Sequence, residues 1–230
     1  MRIKNLEIGP EYPTRIIAEL GTLHLHQTKD EILEVIGQCI TAGADLVKLQ
    51  FINPDTAWWA SWAQLLRYKS LFNSWSIQAL NDLMTEANKT YDTPVFASIF
   101  DPIFFDVEMP AIKLGYKVRY TPWMAIDAFN RNVPVIISCD NFSRLLYPNH
   151  PITKYLWVDP TYPMPPDSPI PPVDHNIWHG YSLHTNNQTL ITRALAQAPE
   201  LLELHVQGEG ANGPDTSFAL TINQLRKVRK

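Results

Sequence analysis

The sequence predicts a (β/α)8 barrel, on three observations. Short β-branched or aromatic runs recur along the chain, each bounded by Gly, Pro, Asn or Asp on at least one side. Where the stretches between them have a period it is the helical one, so strand and helix alternate as a parallel sheet requires. A length of 230 residues fits one compact barrel and would leave two full domains cramped. An open doubly wound sheet usually has fewer strands, so the expectation is a single α/β barrel domain over residues 1–230.

The elements follow in order. Arg15–Leu20 is the first strand, ended by Gly21 and a polar turn with His24 and His26. From Thr28 to Ala42, apolar residues at 32, 33, 35, 36, 39 and 40 lie on one helical face, and Gly43 suits the helix C-terminus. Asp45–Phe51 is the second strand, which completes a parallel crossover. Ile52–Asn73 is Trp-rich without a clean period and reads as a long loop, a lid over one barrel end. Trp75–Lys89 is helical with Ser74 as N-cap, Pro94–Phe100 is the third strand, Pro102–Leu114 a short helix and Tyr116–Tyr120 the fourth strand. Pro134–Cys139, Lys154–Val158, Ile177–His184 and Leu201–Val206 bring the count of strands to eight. Nine prolines between Tyr147 and Val173 leave little room for a regular helix, so at least one outer helix is expected to be replaced by extended loop.

Composition excludes several classes of partner. Nineteen basic against twenty-three acidic residues, without a basic stripe, argue against nucleic acid. No apolar run approaches the roughly 18 residues of a membrane span. Cys39 and Cys139 lack metal-type spacing and no signal-peptide core follows Met1, which suits a reducing cytoplasm. The chain has no Cys-x-x-Cys pair, Gly-x-Gly-x-x-Gly loop or Gly-x-Ser-x-Gly elbow. A small-molecule partner remains.

In a barrel the reacting groups project from the C-terminal strand ends. The polar residues there are Glu19, Lys48, Gln50, Ser98, Asp101, Lys117, Arg119, Ser138, Tyr162, Ser182, His184, Glu203 and His205. A lysine inside an apolar strand is costly to desolvate without an anion. Lys48 and Lys117 therefore suggest an anionic ligand, the alternatives for Lys48 being an outward position or an interior ion pair with Glu19 or Glu203. His184 and His205 end neighbouring strands, where two neutral imidazoles can share one divalent ion and leave positions open for water and substrate. A lone His is more often a satisfied core or surface group, and spacing alone does not choose between this pair and His24, His26 or His179.

Ile16–Gly21 with His24, Ala42–Gln50, Tyr162-Pro163 with Pro165, Gly180–Thr185, Glu203–His205 and Gly213–Asp215 with Ser217 occur in this order. Together they resemble the barrel domain of the sialic acid synthase (N-acetylneuraminate synthase) family. The resemblance runs from residue 15 to about residue 225, and several dispersed motifs in order are more specific than any one. It implies an enzyme that condenses phosphoenolpyruvate with an open-chain N-acylated amino sugar such as N-acetylmannosamine, giving a 2-keto sugar acid and phosphate. It implies a divalent cation held by His184 and His205, typically manganese, with Mg2+, Co2+ or Zn2+ also admissible. Lys48 and Lys117 match the family's lysines, with Ser138, Ser182 and Tyr162 as hydrogen-bonding partners of the anionic substrate. Glu19 and Asp215 match acidic residues near sugar and metal, Glu19 handling the proton. Gln50 is a nearby polar contact, and Ser98 stands where the family usually has Thr.

Some positions depart from the pattern. Leu23 replaces Asn, Leu25-His26 replaces Asn-Gly, Leu183 replaces an acidic residue, Tyr120 stands at the fourth strand's Ser, Cys139-Asp140 replaces Thr-Gly and Pro160 replaces a polar residue. The family's C-terminal antifreeze-like domain, which brings an arginine to the sugar, has no counterpart before Lys230. The expectation is a barrel domain alone, its sugar-binding arm supplied by another chain, by Arg119 or by the Trp58-Trp59-Ala60-Ser61-Trp62 segment. The expected partners are the small-molecule substrates and a second copy in a homodimer. The alternative is a divergent barrel that binds metal and a sugar or anion without catalysing the condensation.

Overall fold

A computed structural model describes residues 1–23, 27–56, 66, 69, 75–115, 121–140, 150–208 and 215–229. A short antiparallel hairpin, β1 (Arg2–Ile3) and β2 (Leu6–Glu7), opens the chain. Eight parallel strands follow: β3 (Arg15–Glu19), β4 (Leu46–Phe51), β5 (Val95–Ile99), β6 (Ile112–Gly115), β7 (Val135–Cys139), β8 (Thr153–Val158), β9 (Gly180–Leu183) and β10 (Leu201–Gln207). Each pairs with the next, and β10 pairs with both β9 and β3, which closes the barrel. A two-residue strand, β11 (Leu220–Thr221), extends β10.

The helices pack outside. Helix α1 (Lys29–Thr41) starts at a reciprocal cap in which the Thr28 hydroxyl accepts from the Glu31 N–H and the Glu31 carboxylate accepts from the Thr28 N–H. Its apolar face, Ile32, Val35, Ile36 and Cys39, is buried, and Gly43 follows the C-cap at φ +107°, a conformation glycine adopts freely. Helix α2 (Ile77–Thr90) is capped by Ser76 instead of Ser74, so it begins two residues later than the sequence pattern suggests. Helices α3 (Thr121–Asn130), α4 (Gln188–Leu195) and α5 (Ile222–Val228) follow along the chain. Between β8 and β9 no helix forms, and the proline-rich stretch runs over the barrel in turns and extended backbone. None of these helices is long and apolar enough to cross a membrane.

One stretch differs from the sequence reading. Pro102–Leu114 is not a helix: only a 3-10 turn, Pro102–Asp106, forms, and the chain then enters β6. Pro110 explains the change, because it lacks an N–H and pushes Met109 toward extended backbone. The strand expected at Tyr116–Tyr120 lies outside the described residues, as do His24, His26 and most of the Trp-rich stretch.

The barrel interior is layered. Its N-terminal end is apolar: Ile17, Leu46, Phe96, Ala111, Ile136, Leu156 and Leu201 pack with Ile3 and Ile8, so the opening hairpin plugs this end. Two residues further along the strands the inward position becomes polar, at Glu19, Lys48, Ser98, Lys113, Ser138 and Glu203, all buried. The residues between them, such as Ala18, Val47, Ala97, Ile112 and Ile137, face the helices in the larger outer core. The period of two thus directs apolar residues outward and polar ones into the C-terminal half of the barrel.

Candidate active site

The centre of that polar layer is an ion-pair cluster. Lys48 is paired with Glu19 and lies 3.0 Å from the Oε2 of Glu203. Glu203 also pairs with Lys113 through Oε1 and accepts a hydrogen bond from the Ser182 hydroxyl at 2.7 Å. Lys113 Nζ donates to Ser182 Oγ at 3.4 Å. Glu19 is braced from the backbone, its Oε1 accepting the Gly21 N–H at 2.6 Å. Lys48 therefore makes the interior ion pair that its sequence context left open, and with both glutamates.

Burial makes these pairings consequential. Desolvation lowers the Lys48 ammonium to about 7, with Glu203 opposing the shift and Lys113 adding to it. Burial by itself would push the Glu203 carboxyl up; Lys113 first and Lys48 next outweigh it and hold the group well below the usual carboxylate range. Glu203 thus stays ionised between the two lysines.

The histidines stand beside this cluster. His184 follows β9 and His205 lies in β10, their ring centroids 5.1 Å apart. Each is held through Nδ1: that of His184 is 3.2 Å from the Asp159 carbonyl oxygen, and that of His205 is 3.1 Å from Asp215 Oδ2. An Nδ1–H facing an oxygen leaves Nε2 as the unprotonated nitrogen, the arrangement in which histidine binds a metal and an outer oxygen orients it. Burial first, and then His205, lower His184 to about 3, so its imidazole is neutral near pH 7. Burial would raise the Asp215 carboxyl, but the hydrogen bond from His205 brings it down.

Among the described residues no group of three or more His, Cys, Asp or Glu side chains is arranged around one metal position. The donor set that fits a divalent ion is the two imidazoles, with water or substrate completing the sphere. Aromatic rings enclose the pair. Tyr162 stacks on His184 at 3.9 Å, and Phe218 packs edge-on against His205 at 4.9 Å and His184 at 6.0 Å. The proline-rich stretch holds this side in place, Met164 N–H donating to the His184 carbonyl at 2.8 Å.

Of the residues singled out from sequence, Glu19, Lys48 and Ser182 meet in the ion-pair cluster, and Tyr162, His184, His205 and Asp215 gather next to it. Ser98 is buried beside Lys113 in the β5–β6 register, and Gln50, half-buried, is opposite Ser98 in the β4–β5 register. Ser138 is buried at the end of β7 with its hydroxyl unpartnered among the described residues. Lys117 lies outside them, and the lysine in the cluster is Lys113. The signal for it was present: Ile112-Lys113-Leu114 has the same apolar, lysine, apolar form as Val47-Lys48-Leu49. Phe218, and Thr22 with its buried, unpartnered hydroxyl beyond Gly21, carried no such pattern.

No protein-family model and no curated protein sequence matches the chain. Solved structures do match in fold. Sialic acid synthetase from Leptospira borgpetersenii serovar Hardjo-bovis superposes with a TM-score of 0.80 at 19% identity, over 99% of this chain and 85% of that one. The spore coat polysaccharide biosynthesis protein spsE of Bacillus subtilis gives 0.68 at 19% identity, over 99% and 69%. The phospho-2-dehydro-3-deoxyheptonate aldolase (DAHP synthase) of Thermotoga maritima gives 0.69 at 13% identity, over 100% and 71%. At these identities the likeness establishes the architecture, and the chain has the fold of a sialic acid synthase-like barrel.

Proposed function

We propose that this barrel condenses phosphoenolpyruvate with the open-chain aldehyde of an N-acylated amino sugar, giving a 2-keto sugar acid and phosphate. The observation that carries the reading is the juxtaposition, at one end of the barrel, of two buried lysines with two histidines whose Nδ1 atoms are already engaged. The neighbours in fold include sialic acid and DAHP synthases, which agrees with a sugar-acid-forming transferase.

In the reaction the enol carbon of phosphoenolpyruvate forms a bond to the aldehyde carbon, and the aldehyde oxygen takes a proton to become a hydroxyl. Water adds to the resulting cationic carbon, and loss of phosphate leaves the ketone. Lys48 and Lys113 hold the phosphate and carboxylate charges, with Ser138, Ser182 and Tyr162 as hydrogen-bonding partners and Ser98 and Gln50 as polar contacts. Glu19, at the C-terminal end of β3, handles the proton of the sugar or of water. Asp215 orients His205. A divalent cation on His184 and His205, manganese by preference, supplies Lewis-acid polarisation of the aldehyde when bound. Lys117 is a further candidate for holding those anionic charges, and Arg119, the Trp58-Trp59-Ala60-Ser61-Trp62 segment or a second copy of the chain in a homodimer supplies the sugar-binding arm.

The test is phosphate release from phosphoenolpyruvate with a panel of N-acyl hexosamines, alongside pentose and tetrose phosphates, with and without Mn2+. Release that requires metal and is lost in His184→Ala and His205→Ala supports the reading. Metal and ligand binding with no release from any acceptor supports the alternative of a non-catalytic barrel.

A further inference from the structure

The cluster at the centre of the site is internally paired. Two lysines, Lys48 and Lys113, face two carboxylates, Glu19 and Glu203, all four side chains no more than 5% exposed. An incoming anion meets no unpaired cation among the described members of this cluster, and must take a lysine away from a carboxylate.

The two carboxylates are not equally free to yield. Glu19 has one oxygen fixed by the Gly21 backbone N–H. Glu203 is held by Lys48, Lys113 and the Ser182 hydroxyl, which are side chains that an oxyanion itself would engage. It spans both lysines at once, with one oxygen toward each, as a ligand carrying two anionic groups would. In a buried site a carboxylate left beside an anionic ligand repels it strongly, because the low dielectric magnifies the like-charge term.

We propose that Glu203 is the internal counter-anion of the binding site: it occupies Lys48 and Lys113 until a phosphate-bearing ligand displaces it, and so sets a threshold that single-anion ligands such as inorganic phosphate cross poorly. This rests on the reading of the two lysines as the anion site. Glu203 acts through them, as a specificity-determining group, and needs no contact with the reacting atoms.

The probe is inorganic phosphate, titrated calorimetrically into the full chain, with the phosphate-dependent rise in Tm as a second readout. Glu203→Gln removes the competing charge and nearly keeps the shape, and is expected to bind phosphate at least tenfold more tightly than the parent. The double variant Glu203→Gln, Lys113→Met removes a cation together with an anion and loses that gain. Phosphate binding that depends on Lys113 but is no tighter in Glu203→Gln overturns the role of Glu203 and leaves the anion site standing. Phosphate binding that ignores Lys113, or none in any variant, overturns both. Should Glu203→Gln fail to fold, Glu203→Asp decides. It keeps the charge, but its shorter arm cannot span both lysines, so affinity above that of the parent supports the proposal and affinity equal or lower sinks it.

Discussion

A methyl group placed on Gly21 would sit 2.7 Å from the Oδ2 atom of Asp215, the same oxygen that lies 3.1 Å from His205 Nδ1. Gly21 also adopts φ +58°, where a side chain is strained. Gly21→Ala is therefore expected to lose about 1–2 kcal/mol of stability and to push Asp215 away from His205. Denaturant unfolding together with Mn2+ titration checks both effects; an unchanged metal affinity would separate Gly21 from the histidine pair.

Asp215 can be tested directly. Asp215→Ala removes the carboxylate that orients His205, and loss of such an outer partner typically costs metal affinity by about 10–100-fold. The expected outcome in a Co2+ titration is weaker binding in that range with little change in fold by circular dichroism. Binding as tight as in the parent would show that His205 needs no support from Asp215.

Lys113→Met leaves the buried Glu203 with one cation in place of two. Breaking a buried pair from one side costs about 3–5 kcal/mol, so a marked fall in the urea midpoint is expected. Adding Glu203→Gln should restore part of that loss, because the stranded charge is then gone. A double variant no more stable than the single one counts against the pairing.

At the other end of the barrel, Ile3 is fully buried against Ile17, Leu46 and Phe96 in the hairpin plug. Ile3→Ala should cost about 2–5 kcal/mol through lost burial and the cavity left behind. Metal affinity should not change, since the plug lies at the end of the barrel opposite the histidines.

A pH dependence follows from His179. It is buried, and its Nδ1 accepts the Tyr155 N–H at 3.0 Å, so the ring is held neutral. Burial first and Lys154 next lower it to about 3 from an ordinary value of 6.5. Below about pH 6.5 the unfolded chain takes up a proton that the folded chain refuses until about pH 3, so stability falls as pH drops through that window. One such group contributes a slope of at most about 1.4 kcal/mol per pH unit. In urea unfolding at pH 7, 6 and 5, His179→Asn should flatten the decline relative to the parent; parallel declines would refute the assignment.

The barrel was legible because parallel strands buried on both faces write continuous apolar runs, as in Asp45–Phe51 and Pro134–Cys139. The histidines and Glu19 were legible for a related reason, since each is a polar residue ending such a run. The apolar, lysine, apolar form around Lys113 was masked because β6 spans only Ile112–Gly115 and follows the 3-10 turn Pro102–Asp106, so its few apolar residues merged with a helix-like pattern. The joining of Glu203 to Lys113 and Ser182, and the packing of Phe218 on the histidines, depend on what meets across the barrel, and one-dimensional spacing does not carry that information.

The stretch from Asp159 to Trp178 forms no helix or strand, only an isolated bridge between Asp174 and Trp178, yet it is fastened along its length. Near its start the Asp159 carbonyl holds His184 and the Met164 N–H meets the His184 carbonyl. Pro171 accepts from the Tyr181 hydroxyl, and toward its end His175 lies 3.1 Å from the buried Glu200 at the opposite rim. A circular permutant or protease nick here, in a segment that looks like dispensable loop, would release the ring of His184 along with the backbone, whereas new termini elsewhere on the surface would leave the histidine in place.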